Sequence, residues 1–220
     1  MASSQHFLRA FMIAFLALIP LQFFFPTGLK GPGRLEQLAE AGSLGKEMLR
    51  VYSMIKLNRS DVEESHAWDM AKTIARESRS HAIDPMLVLA VINVESRFRP
   101  EAVSEKGARG LMQIRPEAAA DLAQKPDPTP HAIAGSLNPK LLHDPTTNIK
   151  IGVSYLSYLH KRFRNLRVAL MAYNWGPTKI QKTLDEKQSL PEDYAKKVLS
   201  TYETYRAVQS APPKAPWKAA

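Results

Sequence analysis

Apolar residues recur at helical spacing through most of the chain, behind an N-terminal stretch that is apolar on every side. Residues 10–29 carry no charge, follow His6 and Arg9, and are closed by Lys30 and Arg34. A helix needs about 20 apolar residues to cross a bilayer, so this stretch reads as a transmembrane segment, an uncleaved signal anchor. Pro20 kinks such a helix without forbidding it, and no A-x-A cleavage pattern follows the apolar run. With basic residues at both ends, charge bias does not orient it. Gly31-Pro32-Gly33 makes a joint that completes an anchor unit over 1–33, and 34–59 reads as a helical stalk interrupted near Gly42 to Gly45.

Beyond the stalk, the pattern predicts one domain over 60–210. Ser60 and Glu63 have capping-box spacing for a helix reaching His81. Asp84-Pro85, a cap followed by proline at the first helical position, starts a second helix through Leu87, Val88, Val91, Ile92 and Glu95. Residues 97–110 read as a loop, Arg115-Pro116 opens a short helix to Gln124, and the proline-rich stretch 125–138 is a surface excursion. Asp144-Pro145 repeats the start signal, and Ile149, Val153, Leu156, Leu159 or His160, and Phe163 trace one face. A short apolar helix over 166–173 is broken by Asn174-Trp175-Gly176-Pro177. Pro191 opens the last helix, with Tyr194, Val198, Tyr202 and Tyr205 at helical spacing. The tail over 211–220 reads as disordered. No alternating run is long enough for a sheet, so the fold class is all-α.

Composition narrows the chemistry. Lys+Arg 30 against Asp+Glu 21 gives a net charge of +9, which draws the surface towards nucleic acid, acidic lipid or an anionic wall polymer. No groove-reading motif or aromatic-basic repeat supports nucleic acid. The basic cluster Lys161, Arg162, Arg164 and Arg167 reads as a solvated helix face or a weak attachment to an anionic surface. The absence of cysteine removes disulfides, thiolate zinc sites, cysteine nucleophiles and an N-terminal lipid anchor. His81, His131, His143 and His160 have no ligand spacing with nearby acids, so neither metal nor cofactor is expected.

Glu95 is the most informative residue. It lies three and four positions after Ile92 and Val91, on the apolar face of its own helix. Burial and the negative end of the helix dipole both raise a carboxyl pKa there, as a general acid near neutral pH requires. The structural alternative is an ion pair with Arg97, Arg99 or Arg109, which would lower it.

Several short segments, in order, give Glu95 its context: Val94-Glu95-Ser96 behind the Asp-Pro helix; Gly107 to Ile114 (GARGLMQI) before a proline; Asp144-Pro145 with Asn148-Ile149, Gly152 and Tyr155-Leu156; and Ala172 to Pro177 (AYNWGP). Over about 70–205 the chain resembles the catalytic domain of the lytic transglycosylases typified by the soluble enzyme, which share a lysozyme-like fold with goose-type lysozymes. The resemblance implies non-hydrolytic cleavage of the β-1,4 bond between N-acetylmuramic acid and N-acetylglucosamine in peptidoglycan, leaving 1,6-anhydromuramyl ends. It makes Glu95 the single acid/base and Ser96 the hydroxyl beside it. Met112 and Gln113 match cleft-lining groups, Tyr173 and Asn174 a pair that positions the sugar, and Tyr194 a tyrosine that hydrogen-bonds the catalytic Glu. The chain has Pro191-Glu192-Asp193 where the family usually has Glu-Thr-Arg ahead of that tyrosine, and Trp175 where alanine is common. The implied partner is peptidoglycan, and the implied place is the cell envelope: an inner-membrane anchor with the catalytic domain in the periplasm or extracytoplasmic space. Two alternatives stay open. A hydrolytic goose-type lysozyme or endolysin would need a second carboxylate, for which Glu101, Glu105 and Glu117 are candidates. The other is a catalytically idle glycan-binding envelope factor.

Overall fold

The computed structural model describes residues 34–123 and 138–210. The apolar stretch 10–29, nearly all of the excursion 125–138 and the tail 211–220 lie outside the described residues. The chain divides into two compact units, Met1–Glu40 and Ala41–Ala220. The described residues of the second unit form helices, with only isolated bridges among Val103, Arg109 and Ile114, as the all-α expectation required.

Helix α1 is Arg34–Asn58. It runs unbroken through Gly42 and Gly45, where an interruption was expected; a helical glycine costs about 1 kcal/mol relative to alanine, too little to stop a helix anchored further on. That anchor is Val51, Met54 and Ile55, all buried in the core cluster. The domain's core therefore begins inside the segment read as a stalk.

Helix α2, Glu64–His81, starts later than the expected capping box. Glu63 is itself the cap and accepts hydrogen bonds from the Ser65 amide and hydroxyl. Ser60 lies instead in a turn, where Lys56 Nζ donates to the carbonyls of Ser60 and Val62 at 2.8 and 2.7 Å. Ala67, Met70, Ala71, Ile74 and Ala75 bury one face of α2 against helix α5, Pro145–Phe163.

Helix α3, Pro85–Ser96, is the centre of the domain, buried without a break from Met86 to Ile92. Asp84 has two roles at its start: Oδ1 accepts from the Met86 amide at 2.8 Å and Oδ2 from the Tyr202 hydroxyl at 2.7 Å. Tyr202 belongs to the last helix, α8, Asp193–Ser210, whose observed start is two residues past Pro191. Between α3 and α5 lie α4, Pro116–Ala123, and a 3-10 turn, Pro139–His143. Helix α6, Leu166–Trp175, stops at Gly176 (φ +88°). Pro177 then opens a helix with no counterpart in the sequence reading, α7, Pro177–Asp185, which buries Ile180.

Helices α3 and α8 pack antiparallel. Tyr194, near the start of α8, meets Glu95 at the end of α3, and Tyr202, two turns later, meets Asp84 at its beginning. Tyr205 continues the series, donating to Asn58 Oδ1 at the end of α1 at 2.8 Å. The tyrosines that recur along α8 thus fix its register along the helix that carries the buried carboxylate.

Candidate active site

Helix α3 ends in two consecutive left-handed residues, Arg97 (φ +52°) and Phe98 (φ +60°). Such a conformation is unfavourable for side chains larger than glycine, and here it is held from both sides. Phe98 is buried in the core, and Arg59, paired with Asp61 through two 2.7 Å contacts, directs Nη1 at the Arg97 and Phe98 carbonyls. The chain then turns through 102–114. Gly110 N donates to Ala102 O at 2.9 Å, and Arg109 and Ile114 exchange backbone hydrogen bonds at 3.0 Å.

Asn148 ties this loop to α5. Fully buried, it accepts from the Met112 amide at 2.7 Å and donates to the Arg109 and Leu142 carbonyls at 2.9 and 2.8 Å. The approach is so close that a Cβ on Gly110 (φ +76°) would lie 2.2 Å from Leu142 O, and one on Gly152 would lie 2.3 Å from Met112 Sδ. Gly110 and Gly152 are therefore packing requirements. Asn148 stood within a motif in the sequence, but nothing there indicated that it holds the loop's backbone.

Between this loop and the end of α6 opens a cavity of about 690 Å³, lined by Glu95, Gln113, Tyr173 and Asn174, among others. Glu95 is largely buried, and burial raises its carboxyl pKa to about 7, against the opposing pulls of the Tyr194 hydrogen bond and the Lys197 charge. The Tyr194 hydroxyl donates to Glu95 Oε1 at 2.6 Å. Tyr194 is itself pushed well above 10, first by burial and then by the neighbouring carboxylate, so it remains a neutral donor. None of the arginines considered as ion-pair partners takes that place. Arg99 Nε donates to Ser96 O, Arg109 Nη1 contacts His143 Nε2 at 3.1 Å, and Arg97 is exposed.

Other expected site residues divide between the cavity and the core. Gln113, left-handed at φ +47°, donates its amide hydrogens to the Ala102 and Gly110 carbonyls at 3.1 and 3.0 Å, which leaves Oε1 as an acceptor for the cavity. Asn174 is exposed on the wall. Tyr173 lines the cavity, but its hydroxyl donates to Met112 O at 2.8 Å, so the phenol holds the loop and does not reach outward. Ser96 and Met112 face the core. Ser96 is 2% exposed and its Oγ donates to Leu111 O at 2.8 Å, and Met112 is fully buried against Gly152. Ser96 follows Glu95 on the helix, so its side chain points about 100° away from it.

The sequence reading did not place Arg115, Lys179 or Lys106 on this cavity, gave Glu105 only as one of three candidates for a second carboxylate, and noted Trp175 only as a departure from the family's alanine. All five line it. Trp175 is 43% exposed, with Lys179 Nζ 4.0 Å above its ring centroid. A sequence model described as the transglycosylase SLT domain matches residues 72–196. The chain belongs to the transglycosylase SLT domain family. Among SLT relatives, the soluble lytic murein transglycosylase of Escherichia coli K12 is 36% identical over 107 residues, 48% of this chain and 16% of that protein. Membrane-bound lytic murein transglycosylase E of Buchnera aphidicola is 32% identical over 120 residues, 51% of this chain and 52% of that one. The crystal structure of the 70 kDa soluble lytic transglycosylase from Escherichia coli superposes with a TM-score of 0.57 at 26% identity, over 76% of this chain and 30% of that one. The chain thus spans about half or less of the length of each of these relatives, and the residues that the family model matches, 72–196, include Glu95 and the others that line the cavity.

Proposed function

We propose that the protein is a lytic murein transglycosylase that cleaves the β-1,4 bond between N-acetylmuramic acid and N-acetylglucosamine and leaves 1,6-anhydromuramyl ends. The observation that carries this reading is Glu95: a largely buried carboxyl with its pKa raised to about 7, hydrogen-bonded to Tyr194, on the wall of a cavity large enough for sugar rings. Protonated Glu95 gives its proton to the glycosidic oxygen, which leaves on C4 of the glucosamine. The positive charge developing at muramyl C1 is met by the sugar's own acetamido oxygen or carried as an oxocarbenium ion. Ionised Glu95 then accepts the C6 hydroxyl proton as that oxygen closes on C1. Because the nucleophile belongs to the substrate, effective concentration takes the place of a second protein carboxylate. Tyr194 stabilises the ionised state between the two steps. Gln113 Oε1 and the Asn174 amide hold the hydroxyl and acetamido groups, and Tyr173, through Met112 O, fixes the loop that carries Gln113.

The apolar stretch 10–29 supports a further part of this reading, a membrane anchor over 1–33 that keeps the catalytic domain on the extracytoplasmic face, beside the wall. Among the relatives, one is named soluble and another membrane-bound.

A hydrolytic alternative has one observation in its favour: Glu105 lines the same cavity as Glu95 and would serve as the water-activating base. Release of soluble fragments from purified peptidoglycan tests both readings. The transglycosylase reading predicts that Glu95→Gln loses about a thousandfold or more in rate, as removal of an essential acid/base does, while Glu105→Gln stays within a few fold. Loss of comparable size in Glu105→Gln would favour hydrolysis.

A further inference from the structure

The residues that the family model matches begin at 72, yet the end of α1 and the residue after it reach both helices that form the Glu95 hydrogen bond. Asn58 Oδ1 accepts from Tyr205 on α8, the helix that brings Tyr194 to Glu95. Arg59 reaches the end of α3, the helix that carries Glu95 itself. The Arg59 amide donates to the carbonyl of Ile55, a fully buried residue, at 2.8 Å, so its side chain stands on a fixed mount.

The Arg59 guanidinium divides its donors between two tasks. Nε and Nη2 meet the two carboxylate oxygens of Asp61 at 2.7 Å each, the bidentate geometry that a planar fork allows. This fixes the plane of the group and aims Nη1 at the carbonyls of Arg97 and Phe98, 3.3 and 3.4 Å away. Those are the two left-handed residues at which α3 ends, two and three positions past Glu95. Side chains with a Cβ disfavour that conformation, so the turn relaxes if it is released, and the end of α3 moves with it. Around it, Arg97 N donates to Asn93 O, Arg99 N and Nε to Ser96 O, and Ser96 Oγ to Leu111 O, all within one stretch of chain. Arg59 ties that stretch to α1.

We propose that Arg59 is a positioning residue for the reaction: clamped by Asp61, it holds the left-handed exit of α3 and so keeps the Glu95 carboxyl at its depth in the cavity wall. This rests on Glu95 being the acid, as the transglycosylase reading has it. Arg59 does not line the catalytic cavity. With Phe98 and Pro100 it lines a separate one of about 480 Å³, and the two share no lining residue.

The sign of a pH shift separates positioning from a charge effect. The groups that face Glu95 are Tyr194 and Lys197 from α8 and Tyr173 from α6, and Glu105, Lys106, Arg115 and Lys179 line the same cavity. Burial is what raises the Glu95 pKa. Loss of positioning exposes the carboxyl and lowers that pKa, whereas loss of a nearby cation would raise it.

The test is the pH dependence of kcat and kcat/KM on soluble peptidoglycan strands, with the full chain as wild type, Arg59→Ala, Arg59→Lys and Asp61→Asn. Arg59→Ala should lower kcat about tenfold or more, since a misplacement of about 1 Å costs up to about a hundredfold. It should leave KM within a few fold and move the alkaline limb to lower pH. Arg59→Lys, which keeps the charge without the fork, and Asp61→Asn, which keeps the guanidinium without its ion pair, should move the limb the same way by less. These two carry the test if a melting curve shows that Arg59→Ala does not fold. A limb that stays with the wild type in every folded variant, or moves to higher pH, would overturn the proposal, as would a loss confined to KM or to thermal stability. An inert wild type, or a fully active Glu95→Gln, would instead bring down the reading on which the proposal rests.

Discussion

The hydroxyl of Tyr194 lies 2.6 Å from Glu95 Oε1, joining residues 99 positions apart in the chain. The bond works against burial: burial pushes the Glu95 pKa up, and the phenol, by donating to the carboxylate, pulls it down. Removing the phenol should therefore leave the acid harder to ionise. In Tyr194→Phe the alkaline limb of the rate profile, where wild type loses the protonated acid as pH rises through about 7, should move to higher pH. The maximal rate should fall about tenfold or more, since a hydrogen bond to a charged group is worth about 1.5–3 kcal/mol. Lys197→Met should shift the limb in the same direction by less, its charge being the smaller of the two lowering influences. Profiles of kcat/KM against pH check both.

Stability should carry the mark of the same residue. The folded-state pKa of Glu95 lies above the ordinary carboxyl value, 4.5 raised to about 7, so the folded protein holds a proton that the unfolded chain releases between those pH values. The stability this gives is present below pH 4.5 and is lost as pH rises to about 7. At one pH unit per 1.36 kcal/mol, the loss is about 3 kcal/mol. Glu95→Gln, neutral at every pH, should be the more stable protein above pH 7 and should lose this part of the pH dependence. Urea unfolding at pH 5 and pH 8 measures the difference.

The loop that positions Gln113 should fail when its fastenings are removed. Asn148→Ala would leave the Met112 amide without its partner and take a donor from each of the Leu142 and Arg109 carbonyls, the latter keeping its bond from Ile114 N, and a buried unsatisfied polar group costs about 1–3 kcal/mol. Gly152→Ala would drive a methyl into the Met112 side chain, an overpacking that costs about 1–3 kcal/mol. Urea midpoints should fall in both, and activity should fall further than the unfolded fraction explains, because the loop carries a cavity residue. A fully active Asn148→Ala would contradict this role of the loop.

How much of this was legible in the sequence depends on the range of each signal. The starts of α3 and α5 were, because Asp-Pro caps act within one turn: Asp84 bonds Met86 and Asp144 bonds Thr147. The burial of Glu95 was, because its neighbours at three and four positions share its face. Orientation around a motif was not: Ser96 and Met112 adjoin cavity residues in sequence yet turn into the core. The cap at Glu63 in place of Ser60 depends on Lys56 gathering the carbonyls of the intervening turn. The paired role of Asp84, as helix cap and as acceptor for Tyr202, needs α8 in place. The cations of the cavity were invisible for the same reason. Arg115, Lys179 and Lys106 share no segment, and only the fold brings them to one wall.

In the proposed mechanism Glu95 alone supplies acid and base, while the muramyl C6 hydroxyl supplies the nucleophile. Mass analysis of the ends produced when wild type digests purified sacculi, with Glu95→Gln beside it, separates this mechanism from hydrolysis. Wild type should leave muramyl ends one water lighter than those a lysozyme leaves, as the 1,6-anhydro form requires, and the Glu95→Gln variant should produce no new ends. Reducing muramyl ends from wild type, or anhydro ends from Glu95→Gln at a comparable rate, would refute the mechanism.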